Sequence, residues 1–170
     1  MNAARSSVKP ARGTALVNSA PPSTVISERY VDPDGKALDI GSDVVFAAHL
    51  AALNIAAGEP LDRDGLAYEC WKMLRDDVAH EPERRDQMIR LPWVTLAEGR
   101  GDCKSEAVLI AGVCAGAGCN VVLRMICHPG EDHYGHVYAV VDGVPVDPSM
   151  PFGEEMKYAA AQDVPVVLDL

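Results

Sequence analysis

The sequence predicts a mixed α+β domain in which a helix packs on an antiparallel sheet, and three observations support this fold class. The chain has 170 residues, of which 48% are hydrophobic, enough for one domain with a substantial core. Two β-rich runs, at residues 137–141 and 144–146, flank Asp142-Gly143, which is a strong signal for a two-residue hairpin turn. Helical patterns with capping residues and glycine stops precede these strands.

The first half of the chain predicts a hairpin and two helices. Residues 24–31 and 36–40 flank a turn-forming Asp-Pro-Asp-Gly stretch. A helix is predicted over residues 42–57, with Ser42 as its cap and Gly58 as its stop. A second helix is predicted from about residue 62 to 79, and its apolar stripe includes Cys70 and Trp71. Prolines and arginines in residues 80–100 predict an irregular, exposed loop.

The second half predicts one buried helix and the sheet. Asp102 suits the cap of a helix over residues 103–114, which Gly116 and Gly118 would end. A strand is predicted over residues 120–126, followed by a polar loop at 127–135. The last predicted strand covers residues 164–168, and Pro165 favours an edge position because proline cannot donate a ladder hydrogen bond.

The hairpin turn also predicts a strand register. Counting outward from it pairs Val140 with Pro145, and Tyr138 with Asp147. Because side chains alternate, these four residues share one face with His136. The opposite face is wholly apolar and consists of Val137, Ala139, Val141, Val144 and Val146. His136 and Asp147 become diagonal neighbours, close enough for their side chains to meet.

Cys103 is the candidate nucleophile. It falls in the first turn of the predicted helix, where unpaired N–H groups and the positive end of the helix dipole stabilise a thiolate and can receive an oxyanion. A thiol needs a base to remove its proton and a third group to orient that base. His136 and Asp147 could supply these roles, with Asp147 holding the Nδ1 proton of His136.

A series of sequence blocks extends this pattern. The blocks are Asp76-Asp77-Val78, residues 90–103 (RLPWVTLAEGRGDC), Ala107-Val108-Leu109-Ile110, His136-Val137-Tyr138 and Val146-Asp147-Pro148. Together they resemble the transglutaminase-like superfamily, and most closely its small single-domain members from bacteria and tailed phages. The resemblance covers roughly residues 62 to 152. It implies a papain-like core in which the nucleophile lies at the N-terminus of a helix packed on an antiparallel sheet.

The resemblance also implies roles for individual residues. Cys103 would be the nucleophile, His136 the general base and acid, and Asp147 the residue that orients His136. Family members often use a tryptophan as an oxyanion donor, and Trp93 is the match in this chain. The implied activity is acyl transfer from a peptide or protein amide through a thioester, without a cofactor.

Two classes of function remain open at this stage. As an enzyme, the chain would be a peptide or amide hydrolase, or a transglutaminase if an amine resolves the thioester. Hydrolysis is the preferred prediction, because no amine-binding or calcium-binding pattern is visible. The alternative is a structural or assembly protein of a phage virion, in which the triad is a relict or acts once.

Cysteine and histidine usage bears on redox state and metal binding. Five cysteines, an odd number, predict free thiols rather than a disulfide framework, and Cys70 and Cys114 are predicted in the core. Residues 127–136 hold one cysteine, three histidines and two acids, which are zinc-ligand types. Their spacing fits no paired-ligand pattern, so no metal site is predicted. His128 and His133 are predicted near the cleft mouth, and His49 in a satisfied core or interface position.

Charge and hydropathy set further bounds. The net charge of −10 argues against nucleic-acid binding by the folded body, because attraction to phosphate is electrostatic. Residues 1–28 form a basic segment rich in serine, proline and alanine, predicted to be a disordered leader or an arm that grips a larger assembly such as a phage particle. Residues 29–170 form the predicted catalytic domain.

No membrane span or secretory signal is predicted. The longest apolar stretch, residues 107–119, has 13 residues, short of the ~20 that a membrane span needs. The first 25 residues contain no extended apolar run. The expectation is synthesis in the cytoplasm, with virion association as the alternative destination.

Overall fold

The structure is a computed structural model, and it describes residues 41–82 and 88–168. Its elements, in chain order, are α1 Gly41–Ala56, α2 Leu66–Asp77, β1 Ala79–His80, α3 Pro92–Glu98, β2 Arg100–Gly101, α4 Cys103–Gly116, β3 Val121–Cys127, β4 His136–Val141, β5 Val144–Val146 and β6 Ala160–Val166. Strands β3 to β6 form one antiparallel sheet in the order β5-β4-β3-β6, while β1 and β2 form a separate parallel pair. The predicted α+β class is confirmed.

Some predictions fall on residues outside the described ranges. The basic segment 1–28 and the hairpin predicted between residues 24 and 40 both lie there. Within the described ranges, no helix combines the length and apolar character that crossing a membrane requires.

The hairpin register is confirmed. β4 and β5 pair Ala139 with Val146, Val140 with Pro145 and Val141 with Val144. Asp142 and Gly143 both adopt positive φ, at 48° and 83°, as a type I′ turn requires. The ladder ends at Ala139 and Val146, so the predicted pairing of Tyr138 with Asp147 lies one step beyond it.

The central helix α4 begins and is capped as predicted. The Asp102 side chain accepts a hydrogen bond from the Ser105 backbone N–H at 3.1 Å, which satisfies one of the unpaired donors of the first turn. α4 packs between α1 and the sheet, and small residues allow close approach to α1. A Cβ at Gly112 would lie 2.5 Å from the Ala51 Cβ, and one at Gly116 would lie 2.6 Å from the Ile55 Cβ.

The sheet separates two apolar clusters. On the face toward the helices, Val137, Ala139, Val141 and Val146 belong to the main core, as the register predicts. On the other face, three buried side chains, those of Ile126, Tyr138 and Val140, form a smaller cluster against which Val122 and Met156 pack. The sheet is therefore covered on both faces near β4, and His136 lies at the start of that strand.

The boundaries of two helices differ from the prediction. α2 begins at Leu66 rather than near residue 62, because Gly65 adopts a left-handed conformation with φ 74° and Asp62 accepts a hydrogen bond from the Asp64 N–H in a local turn. α2 ends at Asp77, since Ala79 enters a strand. Ser42 lies inside α1 rather than before it.

The prediction of an irregular loop over residues 80–100 is wrong in its described part. Pro92 opens α3 at a position where its missing N–H has no consequence. Gly99 closes α3 in the left-handed region, donating to the Thr95 carbonyl at 3.0 Å. Arg90 is buried, and its Nε donates to Glu98 at 2.9 Å, so this arginine does not lie in an exposed loop.

The sheet edges follow the prediction for Pro165. β3 spans Val121–Cys127, one residue later than predicted. β6 spans Ala160–Val166 and therefore starts four residues before the predicted strand. It forms an outer strand of the sheet, where Pro165 pairs with Val122 and a missing N–H is tolerated.

Candidate active site

Three separate segments of the chain meet at the N-terminus of α4. Cys103 is the first residue of α4, His136 is the first residue of β4, and Asp147 directly follows β5. The hairpin register places His136 and Asp147 side by side, and α4 packs across the same end of the sheet. The structure thus brings together the three residues that the sequence predicts as a site.

His136 and Asp147 form a short, buried hydrogen bond. The His136 Nε2 lies 2.7 Å from the Asp147 Oδ2. The other carboxylate oxygen, Oδ1, accepts hydrogen bonds from the Ser149 N–H at 2.9 Å and the Ser149 hydroxyl at 2.6 Å. Burial opposes the charge on Asp147, but the bonds from His136 and Ser149 outweigh it and lower the pKa of this carboxyl. Asp147 is therefore a fixed anion beside the imidazole.

The ring nitrogen that faces Asp147 differs from the one predicted. Sequence reasoning placed the Nδ1 proton of His136 against Asp147, whereas the structure places Nε2 there. The choice depends on the side from which the ring approaches the carboxylate, and a strand register does not fix that side. Nδ1 is consequently the ring nitrogen left to exchange a proton with another group.

Cys103 is the group that interacts with this imidazole. Burial lowers the pKa of His136, but the hydrogen bond to Asp147 and the neighbouring Cys103 thiol more than offset it and raise this pKa to about 10. The protonated form of the imidazole is therefore favoured beside the sulfur. Cys103 is also the one cysteine of the five that is not buried, since Cys70, Cys114, Cys119 and Cys127 all lie inside.

A second layer of polar residues surrounds the start of α4. Asp102 is buried and contacts the Lys104 ammonium, which is itself buried. Glu106, one turn further along α4, is buried, and one of its carboxylate oxygens lies 2.8 Å from the His80 Nδ1. Burial is the main cause of a raised pKa for Glu106, and the charges of Asp102 and Asp147 add to it. Sequence reasoning did not identify the Glu106–His80 pair, because its members are 26 positions apart.

Helix α2 contributes contacts to the segment that follows β5. The Trp71 indole N–H donates to the Asp147 carbonyl at 3.2 Å and to the Met150 carbonyl at 3.0 Å. The Arg75 guanidinium donates to the same Met150 carbonyl at 3.2 Å. Sequence reasoning placed Trp71 on an apolar stripe and had no signal for its polar contacts, which join distant parts of the chain.

Trp93, the predicted oxyanion donor, lies in the first turn of α3. It is partly buried against the main core, as Cys103 is. Its indole N–H has no hydrogen-bond acceptor among the residues that the structure describes. The oxyanion role of Trp93 stays a prediction.

The polar loop after β3 has a local network of its own. The Cys127 thiol donates to the Glu131 carbonyl at 3.1 Å, and His133 pairs with Asp132. The His128 ring stacks near the His136 ring, with 6.3 Å between centroids, so His128 lies beside His136. Among the residues that the structure describes, no three His, Cys, Asp or Glu side chains are grouped to hold a metal ion.

The predicted role of His49 as a satisfied histidine is confirmed. Its Nδ1 lies 2.8 Å from the Val45 carbonyl within α1, and its Nε2 accepts from the Val167 N–H at 3.3 Å. Both contacts lie away from the triad.

A cavity of about 630 Å³ also lies away from the triad. It is bounded by the C-terminal end of α4 at Gly116 and by Asn120, Arg124 and Pro165. Cys103 begins the other end of the same helix, so this cavity is separate from the candidate site.

Comparisons with family models, with curated proteins and with solved structures returned no match to this chain. The resemblance to the transglutaminase-like superfamily therefore rests on the sequence blocks that carry it.

Proposed function

We propose that this protein is a cysteine-dependent acyl-transfer enzyme of the transglutaminase-like type, with a papain-like arrangement of Cys103, His136 and Asp147. The observation that carries the proposal is the meeting of Cys103, at the start of α4, with the hairpin that carries His136 and Asp147, which are joined at 2.7 Å. The pKa of His136, raised to about 10, adds to it because a protonated imidazole stabilises a neighbouring thiolate. The substrate class is a peptide or protein amide.

In the first step, the Cys103 thiolate attacks the amide carbonyl carbon and forms a carbon–sulfur bond. His136 transfers a proton to the leaving nitrogen, the carbon–nitrogen bond breaks, and an amine departs from the thioester. The acid for this transfer is Nδ1, since Nε2 is bound to Asp147. Asp147 remains ionised throughout and stabilises the imidazolium.

In the second step, water attacks the thioester. His136, now neutral, accepts a proton from that water, and the carbon–sulfur bond then breaks to release a carboxylic acid and restore the Cys103 thiolate beside the imidazolium. The half-buried position of Cys103 leaves the thioester open to water. We therefore favour hydrolysis over transfer to a second amine.

Charge that develops on the carbonyl oxygen needs hydrogen-bond donors. The Cys103 backbone N–H opens α4 and has no acceptor among the described residues, whereas the Ser105 N–H is already bound to Asp102. A free N–H at a helix N-terminus is suited to an oxyanion. We assign the first donor to the Cys103 N–H and the second to Trp93.

Covalent labelling followed by mass mapping tests the proposal. The full chain is treated at pH 6 with iodoacetamide and, separately, with a peptide vinyl sulfone. Cys103 should react first, because His136 favours its thiolate while burial protects the other cysteines. His136→Gln should slow labelling of Cys103 by about tenfold or more, a loss typical of removing a general acid–base partner.

Two results would contradict the proposal. The first is faster labelling at Cys119 or Cys127 with Cys103 unreactive in the folded protein. The second is labelling of Cys103 at a rate that His136→Gln does not change, which is what a relict triad in a structural protein predicts.

A further inference from the structure

Hydrogen bonds to both oxygens fix the orientation of the Asp147 carboxylate. One oxygen is bound to His136 and the other is bound twice by Ser149. Because a short side chain held in this way follows its backbone, the direction of the carboxylate depends on the main chain from Asp147 onward. That main chain forms a tight turn, in which the Met150 N–H donates to the Asp147 carbonyl at 3.0 Å.

A single side-chain donor binds both ends of this turn. The Trp71 indole N–H is shared between the carbonyl of Asp147, at 3.2 Å, and the carbonyl of Met150, at 3.0 Å. Arg75, one helical turn after Trp71, donates to Met150 as well. Two residues of α2 thus anchor the turn, and Trp71 is the one that contacts the backbone of the triad acid itself.

Trp71 is in turn held by its neighbours. Its ring stacks on Tyr68 with 5.6 Å between centroids and meets the edge of Phe152 at 5.8 Å. The Arg75 guanidinium lies 5.0 Å above the ring, an arrangement that attracts a cation to an aromatic face. Phe152 belongs to the same segment as Asp147. Trp71 of α2 therefore contacts this segment through hydrogen bonds to its backbone and through the Phe152 ring.

We propose that Trp71 is a positioning residue of the triad, whose indole N–H fixes the backbone of Asp147 and so directs the carboxylate at His136. This inference rests on the proposed function for its catalytic meaning. The competing explanation is that Trp71 only fills space between α2 and the segment after β5. The two explanations differ in one expectation. Only the positioning role predicts that removing the indole N–H, with an aromatic ring kept, changes the pKa of His136.

The test compares Trp71→Phe with Tyr68→Phe in the full chain. Trp71→Phe keeps an aromatic ring and removes the donor, whereas Tyr68→Phe removes a hydroxyl that has no hydrogen-bond partner among the described residues. The readout is the titration of the His136 imidazole by NMR, assigned with the His136→Gln variant. Trp71→Phe should lower the pKa of His136 by about one pH unit from its raised value, as expected when a charge-assisted hydrogen bond loosens.

Tyr68→Phe should leave this titration unchanged. An unchanged titration in Trp71→Phe, or an equal change in both variants, would overturn the inference in favour of simple packing. If Trp71→Phe does not fold, the indole N–H resonance of Trp71 is followed in the unaltered chain. It should shift with the midpoint of His136, and a flat response across that midpoint would overturn the inference.

The result of this titration can be distinguished from the result of the Cys103 labelling that tests the proposed function. The titration needs no substrate and no turnover, so it reports on the Trp71 contact even in a protein whose Cys103 fails to label. Conversely, Cys103 could label normally while the titration of His136 is unchanged in Trp71→Phe. This result would retain the proposed function and reject Trp71 as a positioning residue.

Discussion

Two acid–histidine pairs lie beside the start of α4, and they have almost the same length. His136 and Asp147 are 2.7 Å apart, and His80 and Glu106 are 2.8 Å apart. In both pairs the carboxylate is buried. The histidines differ, because the side chain of His136 is 11% exposed and that of His80 is 45% exposed.

The pKa values of the two carboxylates nevertheless move in opposite directions. Burial works against the charge in both. Asp147 overcomes it because His136 and two donors of Ser149 bind the carboxylate, and its pKa falls. The Glu106 carboxylate has His80 as its one hydrogen-bond partner among the described residues, and its pKa rises. The number of donors around a buried carboxylate, and not the length of one bond, decides the direction in which its pKa moves.

The difference explains why we propose a catalytic role for only one of the two pairs. A carboxylate that stays charged keeps its histidine in one tautomer and stabilises the imidazolium. Glu106 has fewer hydrogen-bond donors, and the side chain of its histidine is 45% exposed to solvent. The second pair is therefore a packing and charge feature of the helix start.

The largest effect expected from this contrast is on catalysis. Asp147→Asn should leave the fold intact and lower turnover of an amide substrate strongly, since a comparable change in a serine triad costs ~10⁴ through the wrong tautomer. Glu106→Gln should change turnover by less than about tenfold, because the Glu106 carboxylate is hydrogen-bonded to His80, which is not a member of the triad. Steady-state kinetics on a peptide amide measure both.

Asp142→Asn is the matched control for the acid in the hairpin. Asp142 lies in the turn with φ 48°, where Asn is equally suited, and an amide oxygen can still accept the Asn120 N–H that Asp142 now binds at 2.9 Å. Its turnover should stay near that of the unaltered chain. Loss of turnover in Asp142→Asn together with normal turnover in Asp147→Asn would require a different third member of the triad.

The next effect is a difference in the pH dependence of stability. The pKa of Asp147 is lowered, so its contribution is present above the ordinary value of 3.8 and is lost as pH falls through the folded-state pKa. The pKa of Glu106 is raised, so its contribution is present below the ordinary value of 4.5 and is lost as pH rises through the folded-state pKa. The free energy of unfolding therefore responds to pH with opposite signs at the two carboxylates.

Urea unfolding between pH 3 and 5.5 should show these opposite signs, because the ordinary pKa values of the two carboxylates lie in this range and the titration of His136 lies above it. Relative to the unaltered chain, Asp147→Asn should lose free energy of unfolding as pH rises through this range. Glu106→Gln should gain it over the same range, because the neutral amide avoids a buried charge. Parallel pH trends in the two variants would mean that the two carboxylates do not differ as described.

The smallest effect is expected from chelation. If His136 belongs to Asp147 rather than to a metal held with Cys127, His128 and His133, extensive treatment with a chelator should leave Tm and thiol reactivity unchanged. A structural zinc would otherwise contribute folding free energy. Stoichiometric release of zinc with a large drop in Tm would assign His136 to a metal site. The comparison of the His136–Asp147 and His80–Glu106 pairs would then no longer apply.

Local chemistry made the hairpin predictable from sequence. A two-residue turn with positive φ at Asp142 and Gly143 allows one register, and the register alone brings His136 to Asp147. The cap at Asp102 was equally local, since its bond to Ser105 spans three residues. Where the determining contact lies within a few positions, the sequence pattern was sufficient.

The missed features depend on distant contacts or on side-chain orientation. The parallel pairing of Ala79 with Arg100 joins two strands that are far apart in the chain, and the buried Arg90 donates its backbone N–H to the Ser105 hydroxyl, 15 positions away. α3 did carry readable signals, a proline at its start and a glycine at its end, in a stretch too short for a periodic pattern. The Trp71 contacts and the choice of Nε2 at His136 needed the assembled fold.

The close contact between α1 and α4 makes the proposed nucleophile sensitive to changes far from it. A methyl group at Gly112 would meet the Ala51 Cβ at 2.5 Å, a distance that forces one helix to move. Cys103 lies on the same rigid rod, about 13.5 Å away at about 1.5 Å of rise per residue. Gly112→Ala would therefore displace α4 relative to α1. We expect this displacement to move the Cys103 thiol away from the His136 imidazole, although no member of the triad is substituted.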